Sequence, residues 1–272
     1  MTSMSGAPAS HDVPSEPSRP VVRVVVLYPD VMNVYADRGN LIALEARARE
    51  HAVGLEVTAV GLGDPMPDAA DLVLIGGGQD REQERIAADL SAKGERLRAW
   101  AEGGTSMLAV CGGFQLFGRS YRTADGREFE GIGIFDVVTV APGPSGERCI
   151  GDVVVEADLP GIGEVVGFEN HGGRTFLGVD ARPFARVRYG FGNNGDDGTE
   201  GAIAGEGGAV IGTYLHGSVL PKNPALTDHL LRVALRHRYG GDVEVRRLPA
   251  GWAERAHDAA VAVARRRGRR AG

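Results

Sequence analysis

Cys111 is the residue of this chain with the clearest reason to be reactive. It stands in TSMLAVCGGFQLFG, residues 105–118, behind an apolar run at 107–110 that reads as a short buried strand. Phe114, Gln115, Leu116 and Phe117 continue at helical spacing. A strand that turns sharply into a helix, with the nucleophile on the turn, is the geometry of a nucleophile elbow. The turn strains the backbone, and Gly112 and Gly113 are the small neighbours it needs. At the start of a helix, free N–H groups and the dipole stabilise a thiolate. The N–H of Gly112 can also point at an oxyanion. A lone cysteine is more often a buried small hydrophobe, but the flanking glycines reverse those odds.

His216 offers the matching base. It ends AVIGTYL at 209–215, the last strong strand in the sequence. If that strand and the one ending at Cys111 are neighbours, both side chains project from the same sheet edge. The imidazole then takes the thiol proton, the thiolate attacks an sp² carbon, and the imidazolium protonates the leaving group. The oxyanion is expected between the N–H of Gly112 and one from the Gly76-Gly77-Gly78 loop, assigned to Gly78. Such a set serves acyl transfer from an amide or an ester. The triple glycine is not a Walker loop, because no Gly-Lys-Ser/Thr follows, and it does not fit GxGxxG. On its own it is equally well an ordinary tight turn.

The elements around these residues read as an α/β protein. VVRVVVLY at 21–28 is a nearly continuous β-branched run, as in a strand buried on both faces of a parallel sheet. Asn40 can cap a helix over 41–53, and strands are expected at 55–60 and 71–75. A charged helix follows over 81–100, and the next strand delivers Cys111. This order predicts an open, doubly wound, mostly parallel sheet with helices on both faces. Beyond residue 131 the texture changes to shorter strands, at 132–140, 150–155, 165–168 and 185–189. Residues 190–208 read as a loop or hairpin, 224–239 as a helix and 252–263 as a further amphipathic helix.

Composition bounds the function. The chain has 272 residues, a formal charge of −6 and 41 glycines, which favours an α/β protein with many tight turns and gives no support for a nucleic-acid or membrane surface as main partner. Cys111 and Cys149 form no disulfide framework and no zinc spacing, so a reducing compartment is the simpler reading, no metal is expected, and the expected location is the cytoplasm. Residues 1–20 are Ser/Pro-rich without an apolar core and are expected to be a disordered leader. No apolar run approaches the roughly 18 residues of a membrane span. The expected division is this leader, one domain over 21–240, and a C-terminal helix with a basic tail over 241–272.

CGGFQ at 111–115 has the Cys-x-Gly-x-Gln form and resembles class I glutamine amidotransferases. GGGQDRE at 76–82, GFENHGGRT at 167–175 and TYLHG at 213–217 resemble the cobyric-acid-synthase-like branch of that family. YPDVMNVYADRGN and LHGSVLPKNP are similar to the glutaminase subunits of lipid II isoglutaminyl synthases. The resemblance spans 21–239 and implies the class I amidotransferase fold, with Cys111 as nucleophile and His216 as general base. It implies L-glutamine as substrate and release of ammonia to a Mur-ligase-like synthetase in a heterodimer. That partner would amidate the D-glutamate α-carboxyl of the lipid II stem peptide, so ATP and Mg are expected on the partner and no cofactor on this chain.

The resemblance also assigns Arg148, in RCIGDV, to the glutamine α-carboxylate, which a guanidinium fork suits. Two roles are open to Gln115, substrate contact or helix capping. Many class I enzymes carry a glutamate two residues after the histidine, where this chain has Ser218. Glu169, Asp30 and Asp37 are the carboxylates considered for orienting His216. His171 is expected to be structural or interface-facing, and Cys149 an ordinary thiol. Two alternatives are kept, an amidotransferase serving a corrinoid or other synthetase, and a catalytically silent docking scaffold. The corrinoid enzymes usually fuse an N-terminal P-loop domain, for which this chain has no room.

Overall fold

The computed structural model describes residues 19–33, 37–143, 146–241, 245, 248–249 and 251–267. The leader, apart from residues 19 and 20, therefore lies outside the described residues, as do residues 268–270 of the basic tail.

The chain begins with β1 (Val21–Leu27), α1 (Arg38–Glu50), β2 (Gly54–Val60), β3 (Leu72–Ile75), α2 (Asp80–Glu102), β4 (Ser106–Val110) and α3 (Gly112–Phe117). It continues with short strands β5 (Ser120–Arg122), β6 (Glu128–Glu130) and β7 (Val137–Val140), then β8 (Cys149–Ala157), β9 (Glu164–His171), β10 (Arg174–Leu177) and β11 (Ala185–Tyr189). The last part holds β12 (Thr199–Glu200), β13 (Ala202–Ala204), β14 (Val210–Thr213), α4 (Val219–Lys222), α5 (Pro224–Tyr239) and α6 (Trp252–Arg267).

The main sheet has the order β13-β14-β4-β3-β1-β2. Its five strands from β14 to β2 run parallel and β13 is antiparallel to β14. Strands β3, β4 and β14 are buried at every position, which explains their largely apolar sequences. Two smaller four-stranded sheets, β10-β7-β5-β6 and β12-β11-β8-β9, are built from the second half of the chain.

Several local expectations are corrected. Asn40 does not cap α1, which starts at Arg38; it is buried inside the helix, where its Oδ1 accepts the Leu220 N–H of α4 at 3.0 Å. Only residues 137–140 of the strand expected over 132–140 pair in a sheet. The strand expected to stop at 168 extends to His171, because it pairs with β8 along its whole length, Cys149 opposite His171. Residues 190–208, expected as a loop or hairpin, take the hairpin form, with β12 antiparallel to β11 and β13 antiparallel to β14.

Candidate active site

The elbow forms as the residue pattern requires. Cys111 sits between β4 and α3 with φ 52° and ψ −109°, a left-handed conformation that a non-glycine residue holds only where its surroundings impose it. Its N–H donates to Thr213 O at 2.8 Å and its carbonyl accepts the Gln115 N–H at 3.0 Å. The backbone N–H of Gly112 hydrogen-bonds the sulfur. A Cβ on Gly112 would lie 2.7 Å from Gly78 O and 2.9 Å from Gly78 N, so the elbow and the triple-glycine loop meet at backbone contact. The two expected oxyanion donors, Gly112 and Gly78, are thus brought together. The loop is held from the far side by Asp37, whose Oδ2 accepts the Gly77 N–H at 2.8 Å.

Strand β14 is the direct neighbour of β4, with Val110 opposite Thr213, so Cys111 and His216 follow adjacent parallel strands. His216 is fully buried, and its backbone bridges Phe168 of β9 through His216 N to Phe168 O at 2.7 Å. Burial pushes its imidazole down to about 3, with smaller effects of the same sign from His171, Arg148 and Lys222. The Cys111 thiol is pushed up to about 12, first by burial and then by the Asp37 carboxylate; the Gly112 N–H and Arg148 oppose this. The helix start therefore does not produce a resting thiolate as expected, since loss of solvent outweighs one N–H and a six-residue helix. The ground state is a thiol at Cys111 and a neutral imidazole at His216.

An open cavity of about 670 Å³ lies over the sulfur. Gly78, Asp80, Cys111, Gln115, Arg148 and His171 are among its lining residues. Arg148 is exposed at the rim, where its Nε donates to Asn170 Oδ1 at 3.0 Å and its Nη2 to Asn170 O at 2.9 Å. Gln115 is almost fully buried. Its Oε1 accepts from Gln83 Nε2 at 2.8 Å and its Nε2 donates to Tyr214 Oη at 3.1 Å, so both ends of its amide serve the wall of the site. The same Gln83 nitrogen donates to Gly78 O at 3.1 Å.

Among the carboxylates considered for His216, Glu169 accepts the N–H groups of Phe191 and Gly192 at 2.6 and 2.9 Å, which engages both of its oxygens. Asp37 faces Cys111 and the glycine loop, and Asp30 lines a separate cavity. Ser218 has φ 52° and packs so tightly on α1 that any Cβ at Gly39 would collide with its hydroxyl.

Of the two roles expected for His171, the structural one fits its contacts. The residue is buried in the cavity wall, stacked on Tyr214 with centroids 3.7 Å apart and 12° between planes, and its Nδ1 donates to Gly173 O at 2.7 Å. Cys149 is also buried, accepts a hydrogen bond from the Arg174 guanidinium, and burial pushes its thiol up to about 11. Among the described residues no group of three or more His, Cys, Asp or Glu side chains is arranged to hold a metal ion. No described helix is long and apolar enough to cross a membrane.

Sequence reasoning missed Gln83 and Tyr214, which connect α2, α3 and the end of β14 behind Cys111. Nothing in their local spacing marks them, because the partners are 32 and 99 residues apart in sequence.

Comparison with known proteins agrees with this geometry. Residues 23–224 match the CobB/CobQ-like glutamine amidotransferase domain. The GatD subunit of the glutamine-hydrolysing lipid II isoglutaminyl synthase of Staphylococcus aureus (strain N315) is 40% identical over 210 residues, 77% of this chain and 82% of that protein. The GatD subunit of Streptococcus pneumoniae (strain ATCC BAA-255 / R6) is 37% identical over 226 residues, 82% of this chain and 84% of that protein. Among solved structures, PurLQS from Thermotoga maritima superposes with a TM-score of 0.55 at 21% identity, covering 78% of this chain and 98% of that one, a likeness of fold. With the elbow, the glycine loop and the adjacent histidine strand in place, the chain belongs to the CobB/CobQ-like glutamine amidotransferases.

Proposed function

We propose that this protein is the glutaminase subunit of a two-subunit amidotransferase of peptidoglycan synthesis. It hydrolyses L-glutamine through a Cys111 thioester and supplies ammonia to a Mur-ligase-like synthetase, which amidates the D-glutamate α-carboxyl of the lipid II stem peptide. ATP and Mg belong to that partner, and the pair works in the cytoplasm. The observation that carries the reading is a strained Cys111 that receives the Gly112 N–H, lies against the Gly78 backbone and follows the strand beside the one leading to His216. The identity to GatD subunits points the same chemistry toward lipid II.

Glutamine enters with its α-carboxylate on Arg148 and its side-chain amide over the sulfur. His216, neutral at physiological pH, accepts the thiol proton as sulfur bonds to the amide carbon, and the resulting oxyanion is held by the N–H groups of Gly112 and Gly78. The imidazolium returns the proton to nitrogen, the C–N bond breaks and ammonia leaves. Water, deprotonated by His216, then cleaves the thioester to glutamate and restores the thiol.

The test is ammonia release from glutamine by the full chain, alone and with the synthetase subunit. Cys111→Ala is expected to abolish release while leaving the melting temperature and partner binding intact. Release that persists in this variant would overturn the mechanism, and a partner that neither stimulates release nor receives the ammonia would overturn the cell-wall assignment.

A further inference from the structure

The cavity over Cys111 is uneven in charge. Arg81 and Arg148 line it as cations, and Asp80 is the single carboxylate among its described lining residues. Asp80 is the first residue of α2, immediately after the loop that carries Gly78, so the turn that sets the oxyanion donors also sets this acid. It stands in the first helical turn, at the positive end of the helix dipole. The Tyr121 hydroxyl of β5 donates to Asp80 Oδ1 at 2.6 Å and fixes the orientation of the carboxylate. Among the described residues no hydrogen bond reaches Oδ2.

Asp80 and Arg148 both act electrostatically on the Cys111 sulfur, the acid raising the thiol and the guanidinium lowering it. An anion and a cation thus share one small cavity with the thiol in its wall. Free glutamine is a zwitterion whose α-carbon carries both charges at one end of the molecule and whose amide lies at the other. With the amide at the sulfur and the carboxylate at Arg148, the ammonium is left to find an anion within the same cavity.

We propose that Asp80 binds the α-ammonium group of glutamine and thereby selects the free amino acid over glutaminyl amides whose α-nitrogen is acylated or absent. The proposal rests on the glutaminase reading above. A purely structural Asp80, holding Tyr121 and the start of α2, would affect every substrate alike, and this separates the two roles.

The variant is Asp80→Asn, which keeps an acceptor oxygen for the Tyr121 hydroxyl and removes the charge. It is assayed as the full chain with its synthetase subunit, on L-glutamine and on glutaramate, the same amide without the α-amino group. Glutaramate is followed as a substrate and as a competitive inhibitor of glutamine hydrolysis. For glutamine, kcat/KM is expected to fall on the order of 10- to 100-fold, mainly through KM, the range for losing a charged hydrogen bond. Glutaramate is expected to be handled equally by both proteins. An equal loss on both compounds, or unchanged glutamine kinetics, overturns the proposal. A wild-type protein that releases no ammonia from glutamine overturns the glutaminase reading itself, and that result is distinct from an active wild type with an unchanged variant.

Discussion

At the scale of single residues, reactivity here depends on where two backbones touch. Gly112 faces the Gly78 peptide so closely that a methyl group would meet its oxygen at 2.7 Å and its nitrogen at 2.9 Å, both rigid atoms. Gly112→Ala is therefore expected to separate the elbow from the glycine loop and misplace both proposed oxyanion donors. A drop in kcat of about 100-fold is expected, in the range for losing one such donor, with a stability loss of about 1–3 kcal/mol from overpacking. Steady-state kinetics and chemical denaturation check both numbers. Cys111 was legible in the sequence because its glycines announce the turn. Asp80, Gln83 and Tyr214 were not, because what they do is defined by elements brought together only by the fold.

At the scale of elements, β14 is the strand that leads to His216, and its end is fastened by a two-residue strand. Glu200 of β12 is fully buried and accepts the Thr213 hydroxyl at 3.0 Å and the Tyr214 N–H at 2.6 Å. Burial pushes its carboxyl up to about 8, against the pull of those hydrogen bonds and with a push from Glu169. The folded state thus holds a proton that the unfolded chain releases near its ordinary value. This contribution to stability is complete below that value and is lost as pH rises through about 8. His216 works in the opposite sense, its contribution being lost as pH falls from 6.5 through about 3.

Glu200→Gln cannot titrate, so its melting temperature is expected to decline less than that of the wild type between about pH 5 and pH 8. Parallel declines would show that Glu200 ionises normally. The parallel strands of the main sheet were legible because burial on both faces demands continuous apolar runs. The strands at 199–200 and 202–204 were not, since two or three residues between glycines carry no period. Gly201, with φ 62°, turns the chain between them, and a Cβ there would strike the Gly212 carbonyl.

At the scale of the molecule, two attachments close the domain. Asp71, completely buried beside β3, receives Arg23 of β1 at 2.6 Å and Arg238 of α5 at 3.2 Å, which locks the helix across the sheet. Helix α6 docks elsewhere, through Val261 and Ala264 on Val154 of β8 and Val166 of β9. This contact is small and separate from the main core. Val261→Asp sets an unpaired carboxylate against those valines and is expected to release α6 while ammonia release continues. Limited trypsin digestion should then cut within 252–267 at least about tenfold faster than in the wild type, as expected for cleavage from a locally opened state. Loss of activity together with α6 would instead make the helix part of the working enzyme.

The protonated state of Cys111 bears on how the protein endures between turnovers. Peroxides and alkylating agents attack thiolates, and a sulfur held at about 12 by its surroundings presents almost none at neutral pH. The proposed nucleophile is thus guarded by the same burial that makes it unreactive at rest, and in the proposed reaction it becomes vulnerable only when His216 takes its proton for attack on the bound amide.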